Sequence, residues 1–172
     1  MKNAMNDALI DTLPDFDDPL GLLKACHQRM LAHCETLEKL LPHIADKGVD
    51  DEARSAIRRV TTYFNTSAAH HHQDEEEDLF PILARQSLKL ADHVNIARQQ
   101  HQAIDQAWEV LTEALNATES LGSEPVTTFC SLYREHITYE EKELLFMAQH
   151  ILSHEQLVEL GDRMARRRGV KR

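Results

Sequence analysis

His71 and Glu75 stand four residues apart in the run His70-His71-His72-Gln73-Asp74-Glu75-Glu76-Glu77-Asp78-Leu79-Phe80-Pro81, and so do His72 and Glu76. On a helix this spacing stacks an imidazole and a carboxylate one turn apart on one face. Iron, zinc and other transition metals accept both ligand types. Taken alone, a charge run of this kind reads most simply as a solvated acidic face. The choice between solvent and metal rests on whether the rest of the chain brings partners to the same place. His136 and Glu140 repeat the spacing downstream, and His27 and His101 each interrupt an otherwise apolar stripe.

The elements that must position these residues are helices. Only five glycines and five prolines punctuate 172 residues, and aromatics make up 5%. Such a composition favours long helices over sheet. Asp18-Pro19 reads as a helix start, a capping acid before a proline at the first helical position. Leu20, Leu23, His27, Met30, Cys34, Leu37 and Leu41 then follow at steps of three and four, and Pro42 and Gly48 are expected to end that helix. A second helix opens near Asp50 or Asp51, with the stripe Ile57, Val60, Phe64, Ala68, His71, Glu75, Leu79 and Ile82. Pro81 is expected to end or kink it near Phe80. The period selects His71 and Glu75 as the inward pair and sets His72 behind it or at the helix boundary; the motif alone leaves His72 and Glu76 as the alternative.

A third helix runs from about Leu88 to Glu119 on the seam Leu90, Val94, Ala97, His101, Ile104, Trp108, Leu111 and Leu115. The fourth, with Ser123 as N-cap, turns inward Phe129, Leu132, His136, Glu140, Glu143 or Leu144, and Met147. Ser153 to Gln156 resembles a capping box and opens a short terminal helix. The fold class expected is all-α, an antiparallel up-down-up-down four-helix bundle with a short extra C-terminal helix. Residues 1–17 form an N-terminal arm, with Leu9, Ile10, Leu13 and Phe16 to tuck it in; residues 18–150 form the bundle, and residues 151–172 the last helix and a basic tail. That tail, Arg166 to Arg172, reads as a frayed, solvated end.

A net charge of −10 argues against nucleic acid as a partner, because phosphate neutralisation needs clustered Lys and Arg. No apolar run approaches the roughly 20 residues of a membrane span. The first residues lack a signal-peptide layout, and three cysteines without a CxxC point to a reducing cytoplasm. Cys34 reads as core, Cys26 as facing elsewhere, and neither stands in a Cys–His nucleophile arrangement.

Each of the four helices thus carries one seam histidine, and two add a glutamate one turn later. Buried unpaired carboxylates cost several kcal/mol each. A cation at the bundle centre offsets that cost, with neutral imidazoles completing its coordination. Four His and two Glu are too many for one tetrahedral zinc. They suit two carboxylate-bridged metals, with iron or manganese favoured by the mixed nitrogen and oxygen donors.

These residues resemble the hemerythrin-like (HHE cation-binding) domain family. The matching segments are CHQRM around His27, HHQDEEEDLFP around His71, QQHQAIDQAW around His101 and HITYEEKELLF around His136, spread over residues 18–150. The resemblance implies a four-helix bundle with two non-haem iron ions, oxo- or carboxylate-bridged, for which manganese or zinc can substitute. It implies His27, His71, His101 and His136 as ligands with Glu75 and Glu140 bridging, His27 and His71 on one ion and His101 and His136 on the other. Ferritin-like sites use Glu-x-x-His motifs and more glutamates, the reverse of the order here. Oxygen-carrying hemerythrins place two histidines four apart on the third helix; this chain has Ala97 ahead of His101, with Asp105 one turn beyond as a substitute. Both ions are then expected to keep room for an outside ligand.

The leading expectation is a di-iron protein that binds or reacts with dioxygen, peroxide or nitric oxide. The alternative is an iron- or redox-sensing bundle read by a protein partner. A purely structural bundle with incidental histidines is the third reading.

Overall fold

The computed structural model describes residues 15–117 and 121–172, which form five helices and, among the described residues, no strand. Helix α1 is Pro19–Lys47, α2 spans residues 51–84 with a turn at Thr66 interrupting it, α3 is Leu88–Asn116, α4 spans residues 123–151 and α5 is His154–Arg167. Leu9, Ile10 and Leu13 lie outside the described residues, while Phe16 packs against the core.

The helix starts follow their caps. Asp18 accepts from Gly21 N ahead of Pro19, Asp50 from Ala53 N, and Ser87 from Leu90 N. Ser153 and Gln156 form the reciprocal capping box of α5. Gly122, not Ser123, occupies the cap of α4. Pro42 does not end α1; the helix runs through it to Gly48, which stops the chain with a φ of 69°. A proline removes one donor, and here the surrounding turns carry the helix past it.

α2 and α4 each contain a π-helical turn, Asp74–Leu79 and Glu141–Leu145, in which the Phe80 N–H reaches Glu75 O and the Phe146 N–H reaches Glu141 O. Each such turn inserts one residue and rotates everything after it. Hence Phe80 and Leu83 are buried in α2 where uniform periodicity had put Ile82, and Ala148 is buried in α4 where it had put Met147. Pro81 does not end α2 either; residues Phe80–Ala84 add another helical turn.

α1 packs on α2 and α4, and α3 packs on α2 and α4, closing a four-sided all-α bundle. Its core is divided. One apolar half joins Leu20 and Leu23 of α1, Leu79, Phe80 and Leu83 of α2, Leu90, Val94 and Ala97 of α3, and Leu144, Leu145 and Ala148 of α4. The other half takes the opposite ends: Met30 to Leu40, Ala53 to Ala68, Ile104 to Leu115, and Val126 to Ile137. This alternation of ends is what neighbours running in opposite senses produce. Between the halves lies a buried polar layer: His27, His71, Glu75, His101, His136 and Glu140. The fifth helix lies across the π turn of α2 and against α1.

Candidate metal centre

All six sequence-derived candidates meet in that layer. Glu75 and Glu140 are fully buried, and four imidazole Nε2 atoms converge on them. His71 Nε2 lies 2.5 Å from Glu75 Oε1, and His101 Nε2 3.1 Å from Glu75 Oε2. His27 Nε2 lies 3.1 Å from Glu140 Oε2 and 3.9 Å from Glu75 Oε1, and His136 Nε2 3.6 Å from Glu140 Oε2.

The outer nitrogens are held from behind. His27 Nδ1 donates to Glu141 Oε1 at 2.9 Å, His101 Nδ1 to Glu76 Oε1 at 2.7 Å, and His136 Nδ1 to Gln100 Oε1 at 3.0 Å. Arg98 Nε donates in turn to Glu76 Oε2 at 2.8 Å. A carboxylate only accepts, so it draws the proton of a neutral ring to Nδ1 and leaves Nε2 with a bare lone pair. Outer carboxylates behind inward imidazoles are the usual surroundings of metal-bound histidine.

The inward atoms do not satisfy one another. Buried side-chain atoms without a hydrogen-bond partner include His27 Nε2, both His71 nitrogens, His72 Nε2 and both oxygens of Glu75 and of Glu140. Among the described residues, only Thr112 Oγ1 lies outside this layer in that condition. Native interiors rarely leave such groups unpaired, since each costs about 1–3 kcal/mol and more when charged. His101 Nε2 and His136 Nε2 face each other at 3.1 Å, so two neutral rings would oppose their lone pairs. About 3 Å also separates two adjacent ligand atoms around an ion bound at ~2.1 Å. The donor set therefore fits cations.

Two groups of ligand atoms emerge, each within 4.8 Å: His27, His71, Glu75 and Glu140, and His72, Glu75, His101 and His136. Glu75 belongs to both. His72 is the residue that periodicity left behind the ligands. Its ring stacks on His101 at 4.1 Å between centroids, and its Nε2 is buried. The signal for it was present, because His72 and Glu75 are three apart and so share a helix face. Cys26, expected to face elsewhere, is buried with its thiol beside His71. Asp105 is in neither group. Ala97 is buried in the apolar half and leaves no polar atom where a second α3 histidine would stand.

With protons as the only cations, charge in the layer divides sharply. Burial opposes a charge on His71, but Glu75 overrides it and raises the ring to about 10. Burial likewise opposes His101, yet Glu75 and Glu76 raise it to about 9. Glu75, despite burial, is held well below the usual carboxylate range by His71 and His101. Burial and the neighbouring His101 lower His136 to about 3. Burial and then Glu75 raise Glu140.

A cleft of about 410 Å³ opens between α2 and α3 beside the second group, with His72, Gln73, Glu76, Arg98, His101 and Asp105 in its wall. It gives a small ligand a route to the His72–His101 side. A third cluster joins His43 of α1, the cap residue Asp50 and Glu52 of α2, where Asp50 is already engaged in capping Ala53 N.

The description of one family model, the hemerythrin HHE cation-binding domain, matches residues 18–148. A protein of Haemophilus influenzae, itself uncharacterised, is 28% identical over 161 residues, which cover 91% of this chain and 93% of that one.

Proposed function

This chain belongs to the hemerythrin HHE cation-binding domain family, and from that premise we propose that its buried layer holds two metal ions, iron foremost, at which dioxygen, peroxide or nitric oxide binds or reacts. His27 and His71 would hold one ion and His101 and His136 the other, with Glu75 available to both and Glu140 to the first. His72 completes the second set. Manganese and zinc are the substitutes the same donors accept. The observation that carries this reading is the set of buried, inward nitrogen and oxygen atoms that find no partner in the protein.

Bound iron supplies electrons and Lewis acidity toward a small ligand. The chain supplies the rest. Glu76, Glu141 and Gln100 retain the Nδ1 protons of His101, His27 and His136 and so keep those three Nε2 atoms free to ligate. The two apolar halves exclude bulk water from above and below. Each group offers four residues, which leaves room for an outside ligand on either ion. Asp105 lines the cleft, where partial burial raises its carboxyl above the ordinary value. The three thiols, all free, accord with a reducing cytoplasm as the compartment.

Anaerobically reduced, iron-loaded protein mixed with oxygen in a stopped-flow spectrometer tests the reading. The expected result is rapid, irreversible oxidation, with the ferric form changing spectrum on addition of peroxide or azide. Iron-loaded protein that stays spectrally inert to oxygen, peroxide and nitric oxide would contradict it. A second reading, an iron sensor read by a protein partner, is favoured by the complete burial of Glu75 and Glu140. Loss of metal leaves only protons on His71 and His101 to offset Glu75, so the hold on the layer changes with metal and a partner can read the change.

A further inference from the structure

Asp74 stands between His72 and Glu75 at the first residue of the α2 π turn, fully buried, and it is engaged by α5. Arg168 Nη2 donates to Asp74 Oδ2 at 2.7 Å and its Nη1 to Asp74 Oδ1 at 3.2 Å, while Arg167 Nη1 pairs with the same Oδ1. Arg167 Nη2 also reaches Asp78 Oδ2 and Glu77 Oε2, each at 2.9 Å, and Arg163 Nη1 reaches Asp78 Oδ1 at 3.2 Å. Both ends of the π turn are thus fastened from outside by Arg163 and Arg167 of the last helix and by Arg168 at its cap. Arg168 is further fixed by Met164 O at 2.9 Å, and Arg172 ties the end of the chain to Phe16 O at 3.0 Å. Arg167 and Arg168 of the basic tail are thus engaged, while Arg166 and residues 169–172 stay exposed.

α5 lies beyond the stretch matched by the family model, which stops at residue 148, so the match assigns it nothing. Its position says more. Glu75 shares a peptide bond with Asp74 and is the one residue common to both ligand groups. A π turn is a rare single-turn insertion in an α-helix, frequent at functional sites. A forked guanidinium fixes a carboxylate in direction as well as distance. We propose that α5 braces the metal centre: Arg167 and Arg168 acting through Asp74, and Arg163 through Asp78, are positioning residues that hold the π turn so that Glu75 faces both ion positions. This rests on the two-ion reading of the layer.

The test uses the full chain with Co²⁺ alone as the probe. Visible ligand-field bands report coordination, and release to excess chelator reports how firmly the ion is held. In Arg167→Gln/Arg168→Gln the bands should shift and release should accelerate by about tenfold or more, as when partners behind metal ligands are removed. Glu38→Gln removes a comparable forked pair with Arg134 away from the π turn; it should leave bands and release rate unchanged whatever it does to melting temperature. Arg168→Gln alone, which leaves Arg167 on Asp74, should give a smaller change in the same direction and serves where the double variant does not fold. If the wild type binds two Co²⁺ ions and the arginine variants keep its spectrum and release rate, the brace is overturned while the two-ion reading stands. A wild type that takes up no Co²⁺ removes both.

Discussion

At the scale of single residues, the layer is a contest between cations for the same lone pairs. Without metal, protons on His71 and His101 neutralise Glu75. A histidine raised in the folded state above its ordinary 6.5 stabilises the fold fully below that value, and the contribution disappears as pH rises through the folded value. His71 and His101 therefore stabilise the metal-free chain up to about pH 6.5, and their contribution is lost between there and the folded values of about 9 and about 10. His136, lowered to about 3, acts in the opposite sense, because the unfolded chain takes a proton below 6.5 that the folded chain refuses until about 3. Denaturant unfolding of the metal-free protein should show stability falling from pH 6.5 to pH 10, and the metal-loaded protein should not follow that slope. Equal slopes for both would mean that metal does not displace these protons. His27, His71, Glu75, His101, His136 and Glu140 were legible from sequence because each occupies a stripe position that apolar residues otherwise fill. His72 was legible only through its three-residue spacing to Glu75, since a rule of one inward residue per turn admits only one of two adjacent histidines. At the level of the polar layer the helix turns both rings to the interior.

At the scale of elements, the two π turns account for most departures from simple periodicity. Each begins at or next to a buried glutamate, and each shifts the following turns by one residue. Nothing in the residue types announces this shift: Glu143, Leu144, Met147 and Ala148 fit either register, and the packing of neighbouring helices selects one. The register has a measurable consequence in α4. Leu144 is fully buried and Met147 is 37% exposed, so Leu144→Ala should cost about 2–5 kcal/mol and Met147→Ala no more than about 0.5 kcal/mol. Unfolding curves of the two variants check it; equal losses would restore the uninterrupted helix. The caps were readable because their chemistry is local, as with Asp18 before Pro19 and Ser153 before Gln156. Pro42 misled for the same reason, because a local breaker signal yields where tertiary packing on both sides carries the helix through.

At the scale of the whole molecule, two apolar halves are joined through a layer that is expensive without cations. Four helices bring the ligands together, and the fifth holds one ligand-bearing turn from outside. The all-α bundle was evident from composition and from four seams of matching length. The attachment of α5 was not, since arginines near a chain end look like a solvated tail until Asp74 and Asp78 are seen buried beneath them. Residues 18–150 as the bundle, with residues 151–172 bound onto it, is the division we propose, and it makes the last helix part of the centre's support. No helix among the described residues is long and apolar enough to cross a membrane.

The central claim is that the polar layer is a two-ion metal centre built around Glu75. Elemental analysis of the chain purified from iron-replete cells tests it most directly, with Glu75→Ala prepared alongside. The account predicts close to two metal ions per wild-type chain, chiefly iron, with both lost in Glu75→Ala because that carboxylate belongs to both ligand groups. A wild-type chain that is colourless, metal-free and still stably folded would contradict it.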